Sequence, residues 1–152
     1  MIIVIVAGVA VYFCKKNNNS NNENGQTEQQ ENAETSLIDM NNTENAKIED
    51  GIKQNTSENV LRDRDLNKIS ITGIQLLAQE GISNFTATVT NNTGKDFAGG
   101  VAKVKFTNQD GNEYAELEVY VPEMKAGATN SINAGTTADI INAYDFTIEL
   151  EK

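Results

Sequence analysis

The chain has no histidine and no tryptophan, one cysteine and one proline. Without histidine it lacks the commonest general base near neutral pH and the commonest transition-metal ligand. A lone Cys14 excludes an intramolecular disulfide and any cysteine-based zinc site. Positive charge is also scarce, since 12 lysines and arginines face 22 aspartates and glutamates, a net charge of −10. Such a chain is repelled by nucleic acid and by anionic lipid headgroups, so a phosphate-binding role is not expected. Long hydrophobic runs are missing too. The one sustained apolar stretch, residues 2–13, would rise about 20 Å as a helix, short of the roughly 30 Å of a hydrocarbon core.

That stretch reads Ile-Ile-Val-Ile-Val-Ala-Gly-Val-Ala-Val-Tyr-Phe and is followed by Cys14, Lys15 and Lys16. Three readings fit it. One is a membrane anchor that continues upstream of Met1. Another is a signal peptide without its basic region, with Gly8 and Ala10 as small residues near a cleavage site. The third is a short buried helix or strand. The anchor is favoured, because Tyr12-Phe13 and the two lysines suit a membrane interface. Residues 17–32 also offer almost nothing apolar for a buried segment to pack against. Cys14 follows Phe13 rather than the small residue that normally precedes a lipidated cysteine, so it reads as an idle or palmitoylatable juxtamembrane thiol. By the positive-inside tendency, Lys15 and Lys16 would hold the following chain in the cytosol. A polar leash carrying a β-domain is more typical of a surface protein, and the extracytoplasmic side is favoured, or secretion if the segment is cleaved.

Residues 15–67 read as a linker. Asn occupies 12 of the 44 positions from 17 to 60, and nine acids there face two lysines. Leu37, Ile38, Met40, Ile48 and Ile52 are isolated among polar neighbours. Such a segment buries too little apolar area to offset its ordering entropy, so disorder is expected. Asn-x-Ser/Thr triplets at Asn18, Asn41, Asn55, Asn84 and Asn91 are what chance yields in so Asn-rich a chain.

From Lys68 the pattern becomes strand-like, and residues 68–152 are expected to form the only domain. Ile69, Ile71, Ile74 and Leu76 change parity at Gly73, which marks a bulge. Glu80-Gly81 turns the chain. Phe85, Ala87 and Val89 point one way. Asn91-Asn92-Thr93-Gly94 is a turn, and Gly99-Gly100 opens the next strand as a bulge. Ala102, Val104 and Phe106 face inward, with Lys103 and Lys105 outward. After the Asn108–Gly111 hairpin turn, Leu117, Val119 and Val121 face in, with Glu116, Glu118 and Tyr120 out. A short strand near 129–133, a helical turn or crossover over 136–142, and a closing strand with Tyr144, Phe146, Ile148 and Leu150 on one face complete the pattern. Six or seven short strands of this kind bury one face each by forming two packed antiparallel sheets, an all-β immunoglobulin-like sandwich without the antibody Cys–Trp–Cys triad.

The stretch Phe85-Thr-Ala-Thr-Val89-Thr-Asn91-Asn-Thr93-Gly94, then Val101 to Gly111, Lys125-Ala-Gly127 and Ala143-Tyr-Asp-Phe146 resembles the FxLYD family of bacterial surface domains over about residues 68–151. Aligned on Asp110-Gly111, the family's Phe-x-Leu-Tyr-Asp becomes Val104-Lys-Phe106-Thr-Asn108 here. The resemblance implies an immunoglobulin-like sandwich on a secreted or anchored protein, with no enzymatic activity.

Constellations for catalysis are missing from the sequence. Asp110, Glu113, Glu116 and Glu118 gather around one hairpin without the loop-ligand repeat that calcium requires. Ser83 and Ser131 have no histidine or positioned lysine to act as base. No catalytic residue, cofactor or metal is therefore expected. The candidate interaction face is Lys103, Lys105, Glu116, Glu118 and Tyr120, side by side on the outer parity of two paired strands. The function that follows is a non-catalytic, membrane-tethered module of a bacterial cell envelope whose partner is a protein or a wall polymer. The alternative is a secreted sandwich that binds or inhibits an enzyme.

Overall fold

Three two-residue turns organise the first half of the fold. The computed structural model describes residues 36–151. In it, Asp50-Gly51, Asn67-Lys68 and Glu80-Gly81 all have both residues at positive φ, between 51° and 81°. That is the type I′ geometry whose twist matches paired strands. The turns close three antiparallel hairpins: β1 (Ala46–Glu49) with β2 (Ile52–Asn55), β3 (Arg64–Leu66) with β4 (Ile69–Gln79), and β4 with β5 (Ile82–Asn91). Between β2 and β3 lies α1 (Glu58–Leu61), a single turn that buries Val60.

The remaining strands are β6 (Gly100–Thr107), β7 (Glu113–Val121), β8 (Thr129–Thr136) and β9 (Asp145–Leu150). One sheet has the order β1-β2-β4-β5-β8. Strand β3 pairs with the first half of the same β4 edge whose second half takes β2. The other sheet is β7-β6-β9. All pairings are antiparallel, and the two sheets pack as a sandwich. Phe85 from the larger sheet meets Phe106 and Phe146 from the smaller one at ring-centroid distances of 6.4 and 5.6 Å. Phe106 and Phe146 are direct partners on β6 and β9, 6.0 Å apart. Around these rings the inward parities are as expected. Phe85, Val89, Ala102, Val104, Phe106, Val119 and Val121 are fully buried.

The bulge at Gly73 is present. The β4–β5 register shifts between Thr72 and Gln75, and Gly73 has φ 59°. Burial passes from Ile69 and Ile71 to Ile74, Leu76 and Ala78 across it. The stretch over 136–142 is a crossover, not a helical turn, and it carries the buried Ile140 and Ile141.

The expected boundaries need correcting. Linker was expected over 15–67 and the domain only from 68, yet residues 46–66 contribute three strands and a helical turn. Ile38, Val60 and Leu66 join the common core. The physical reason is an inverted pattern on β2. Its inward side chains are Lys53 and Asn55, both fully buried, while the isolated Ile48 on β1 is exposed. These polar side chains are held by hydrogen bonds to the crossover, not by apolar packing. The apolar stretch 2–13 and linker residues 17–35 lie outside the described residues. Among the described residues, no helix is long and apolar enough to cross a membrane.

Candidate functional site

Strand parity brings the five expected face residues together on the outside of the three-stranded sheet. Lys103 lies opposite Glu118 on β7 and Glu149 on β9, and Lys105 opposite Glu116 and Thr147. Ion pairs then form diagonally. Lys103 Nζ is 3.0 Å from Glu116 and 3.4 Å from Glu151, and Lys105 Nζ is 3.8 Å from Glu113. These solvent-screened pairs order the face more than they stabilise it. Hydrogen bonds that it donates to Glu116 and then to Glu151 raise the pKa of the Lys103 ammonium above its usual value. The pairing is thus fully present below the ordinary lysine value and is lost only as pH rises beyond it. Two lysines against five glutamates leave the face acidic. Tyr120 stands 62% exposed at its end. The site of Gly99 explains how the tyrosine sits there: a Cβ at that residue would come within 3.1 Å of the Tyr120 hydroxyl and of the Glu123 backbone nitrogen.

A second cluster, not among the expected site residues, lies where β2 meets the β8–β9 crossover. Lys53 Nζ donates to the Asp39 carbonyl at 2.7 Å, to Asp139 Oδ2 at 2.9 Å and to Asn142 Oδ1. Its three protons therefore have three oxygens, which is what a fully buried ammonium requires. Asp139 is itself held, Oδ2 by the Asp39 amide at 3.0 Å and Oδ1 by the Ile141 amide at 3.2 Å. Asn142 Nδ2 donates to the carbonyls of Glu44 at 2.6 Å and Asn42 at 3.2 Å. Alongside, Asn55 Nδ2 donates to the carbonyls of Ile141 and Ala143 at 2.7 and 2.8 Å, and Ser57 Oγ to that of Tyr144. The only sequence signals for this cluster were the turn dipeptide Asp50-Gly51 and the lysine within an acidic stretch.

Near the cluster, Tyr114 on β7 is 44% exposed, yet its phenol is pushed above its usual range, first by the partial burial of the ring and then by the Asp139 carboxylate. The folded protein therefore keeps this proton in alkaline solution where the unfolded chain, titrating near 10, gives it up. Stability is expected to fall as pH rises above about 10, and Tyr114→Phe should flatten that decline. Denaturant midpoints for both proteins at neutral pH and at about pH 11 check it. Equal declines would remove Tyr114 as the cause.

A shallow depression of about 300 Å³ lies between Asp96–Ala98 and Glu123–Lys125, where Phe97 and Met124 pair as an isolated bridge and Lys125 meets Asp96 at 2.6 Å. Among the described residues, no group of three or more carboxylates, histidines or cysteines is placed to hold a metal ion. Glu113 and Glu116, two of the acids around the β6–β7 hairpin, are turned to lysines.

The fold defines a two-sheet antiparallel β-sandwich with an acidic, lysine-laddered outer face. In comparisons with known proteins, no family model, curated protein or solved structure matches the chain.

Proposed function

We propose that the protein is a non-catalytic, membrane-tethered interaction module on the extracytoplasmic side of a bacterial cell envelope. It engages a protein or a wall polymer through the outer face of β7-β6-β9. The observation that carries this reading is the gathering of Lys103, Lys105, Glu116, Glu118 and Tyr120 on one solvent-facing sheet surface, with charges fixed in diagonal pairs. Support for the tether comes from the apolar run 2–13 with Tyr12, Phe13, Lys15 and Lys16 at its end. The likeness to FxLYD surface domains over 68–151 supports the location.

The test is fractionation of cells making the full chain or one lacking residues 2–13. The full chain is expected with membranes and open to protease added to intact cells, and the truncated chain is expected free. Recovery of the full chain in the soluble cytosolic fraction would sink the tether. For the face, Glu118→Lys with Glu149→Lys should reduce retention on isolated envelopes by at least about tenfold, the scale of a lost contact worth 1.4 kcal/mol. Unchanged retention would move the interaction elsewhere.

A further inference from the structure

We propose that Lys53 and Asn142 become joined by an intramolecular amide bond, made by the folded domain on itself with Asp139 as proton carrier. The inference is independent of the tethering role. It rests on the way an amine, a carboxamide and a carboxyl group are brought together from positions far apart in the chain.

The amine is Lys53 Nζ, on a residue with no surface open to water. Its hydrogen bond to Asn142 Oδ1 places the nitrogen beside the carboxamide carbon, which is one bond from that oxygen. The carboxamide is fixed in orientation. Its Nδ2 is tied to the carbonyls of Asn42 and Glu44, so Oδ1 stays turned to the lysine. The carboxyl group is Asp139, 2.9 Å from Nζ and clamped by the amides of Asp39 and Ile141. A reacting pair held this way has an effective concentration of about 10⁵–10⁸ M, and a dry amine does not lose its target to hydrolysis.

The step balances. The Lys53 ammonium gives one proton to the Asp139 carboxylate. The free amine pair attacks Asn142 Cγ, forming the new C–N bond while the carbonyl π pair moves to Oδ1. Asp139 then carries a proton from the attacking nitrogen to Nδ2. The carbonyl re-forms, the Cγ–Nδ2 bond breaks, and ammonia leaves. It takes up the remaining proton, and Asp139 is a carboxylate again. Nothing is oxidised or reduced, and no co-reactant is consumed. The Asp139 side chain, 17% exposed, gives ammonia a way out.

Trypsin mapping of the denatured full chain reads the bond directly. An acylated Lys53 is not cut, so residues 48–62 and 126–152 should emerge as one branched peptide, lighter than their sum by one ammonia. Asp139→Ala should yield the two peptides separately, with cleavage at Lys53. If that variant does not fold, the wild-type map still decides. Cleavage after Lys53 together with an unmodified Asn142 peptide overturns the proposal, as does an Asn142 peptide hydrolysed to aspartate. A branched peptide that persists in folded Asp139→Ala overturns the role given to Asp139.

Discussion

Removing residues 36–67 from the full chain is expected to abolish cooperative unfolding. The deletion takes Ile38, Val60 and Leu66 out of the core. Each buried aliphatic side chain contributes about 1.5–3 kcal/mol, so their loss alone costs about 5–9 kcal/mol. It also strips β4 of both strands on one edge, takes Lys53 and the Asp39 amide from Asp139, and leaves the Asn142 side chain and the carbonyls of Ile141 and Ala143 without the hydrogen bonds described above. The total stability of a domain of this size is about 5–15 kcal/mol, so little or nothing remains. Circular dichroism on heating decides the matter. A sigmoidal melt within a few degrees of the parent would mean that the sandwich from 68 onward is self-sufficient and that the first three strands are ornamental.

The second large effect belongs to Phe146→Ala. Phe146 is buried, touches both other core rings, and carries the Arg64 guanidinium 4.4 Å above its face. Arg64 also reaches Asp145 and the Asn59 carbonyl, so the ring supports the contact between β3 and the start of β9. Truncation removes the ring and leaves a void between the sheets, a cost of about 3–5 kcal/mol. At roughly 4–8 °C per kcal/mol the midpoint should drop by about 12 °C or more. A drop of less than about 3 °C would show that the three-ring centre does not hold the sheets together.

These two effects sit on opposite sides of what the sequence could disclose. Phe146 and Phe106 were legible because β6 and β9 alternate apolar and polar side chains with the apolar set inward. The same parity disclosed Lys103, Lys105, Glu116, Glu118 and Tyr120 as one face, and the parity change at Gly73 disclosed the bulge. Strands β1 to β3 were not legible, because β2 turns Lys53 and Asn55 inward and so reverses the usual sign of the alternation. Apart from the Asp39 carbonyl, the groups that hold Lys53 and the Asn55 amide lie 86–89 residues away, on the crossover to β9. No local window contains both halves. The turn residues Asp50-Gly51 and Asn67-Lys68, both pairs at positive φ, and the lysine within an acidic stretch were the local hints, and polar surroundings made them look like more of the same tract.

The hydrogen bonds between residues 39–57 and 139–144 also determine how the domain would carry tension. A pull applied at residue 36 does not first peel the β1–β2 hairpin. It arrives at Asp39, whose amide and carbonyl are fastened to Asp139 and Lys53, and is handed across to the crossover that leads into β9. Strand β9 pairs with the central strand of the smaller sheet, so the load enters both layers of the sandwich at once. Several polar contacts must then be broken together, rather than one hairpin bond after another. The domain is therefore built to resist tension at the point where residue 36 enters it.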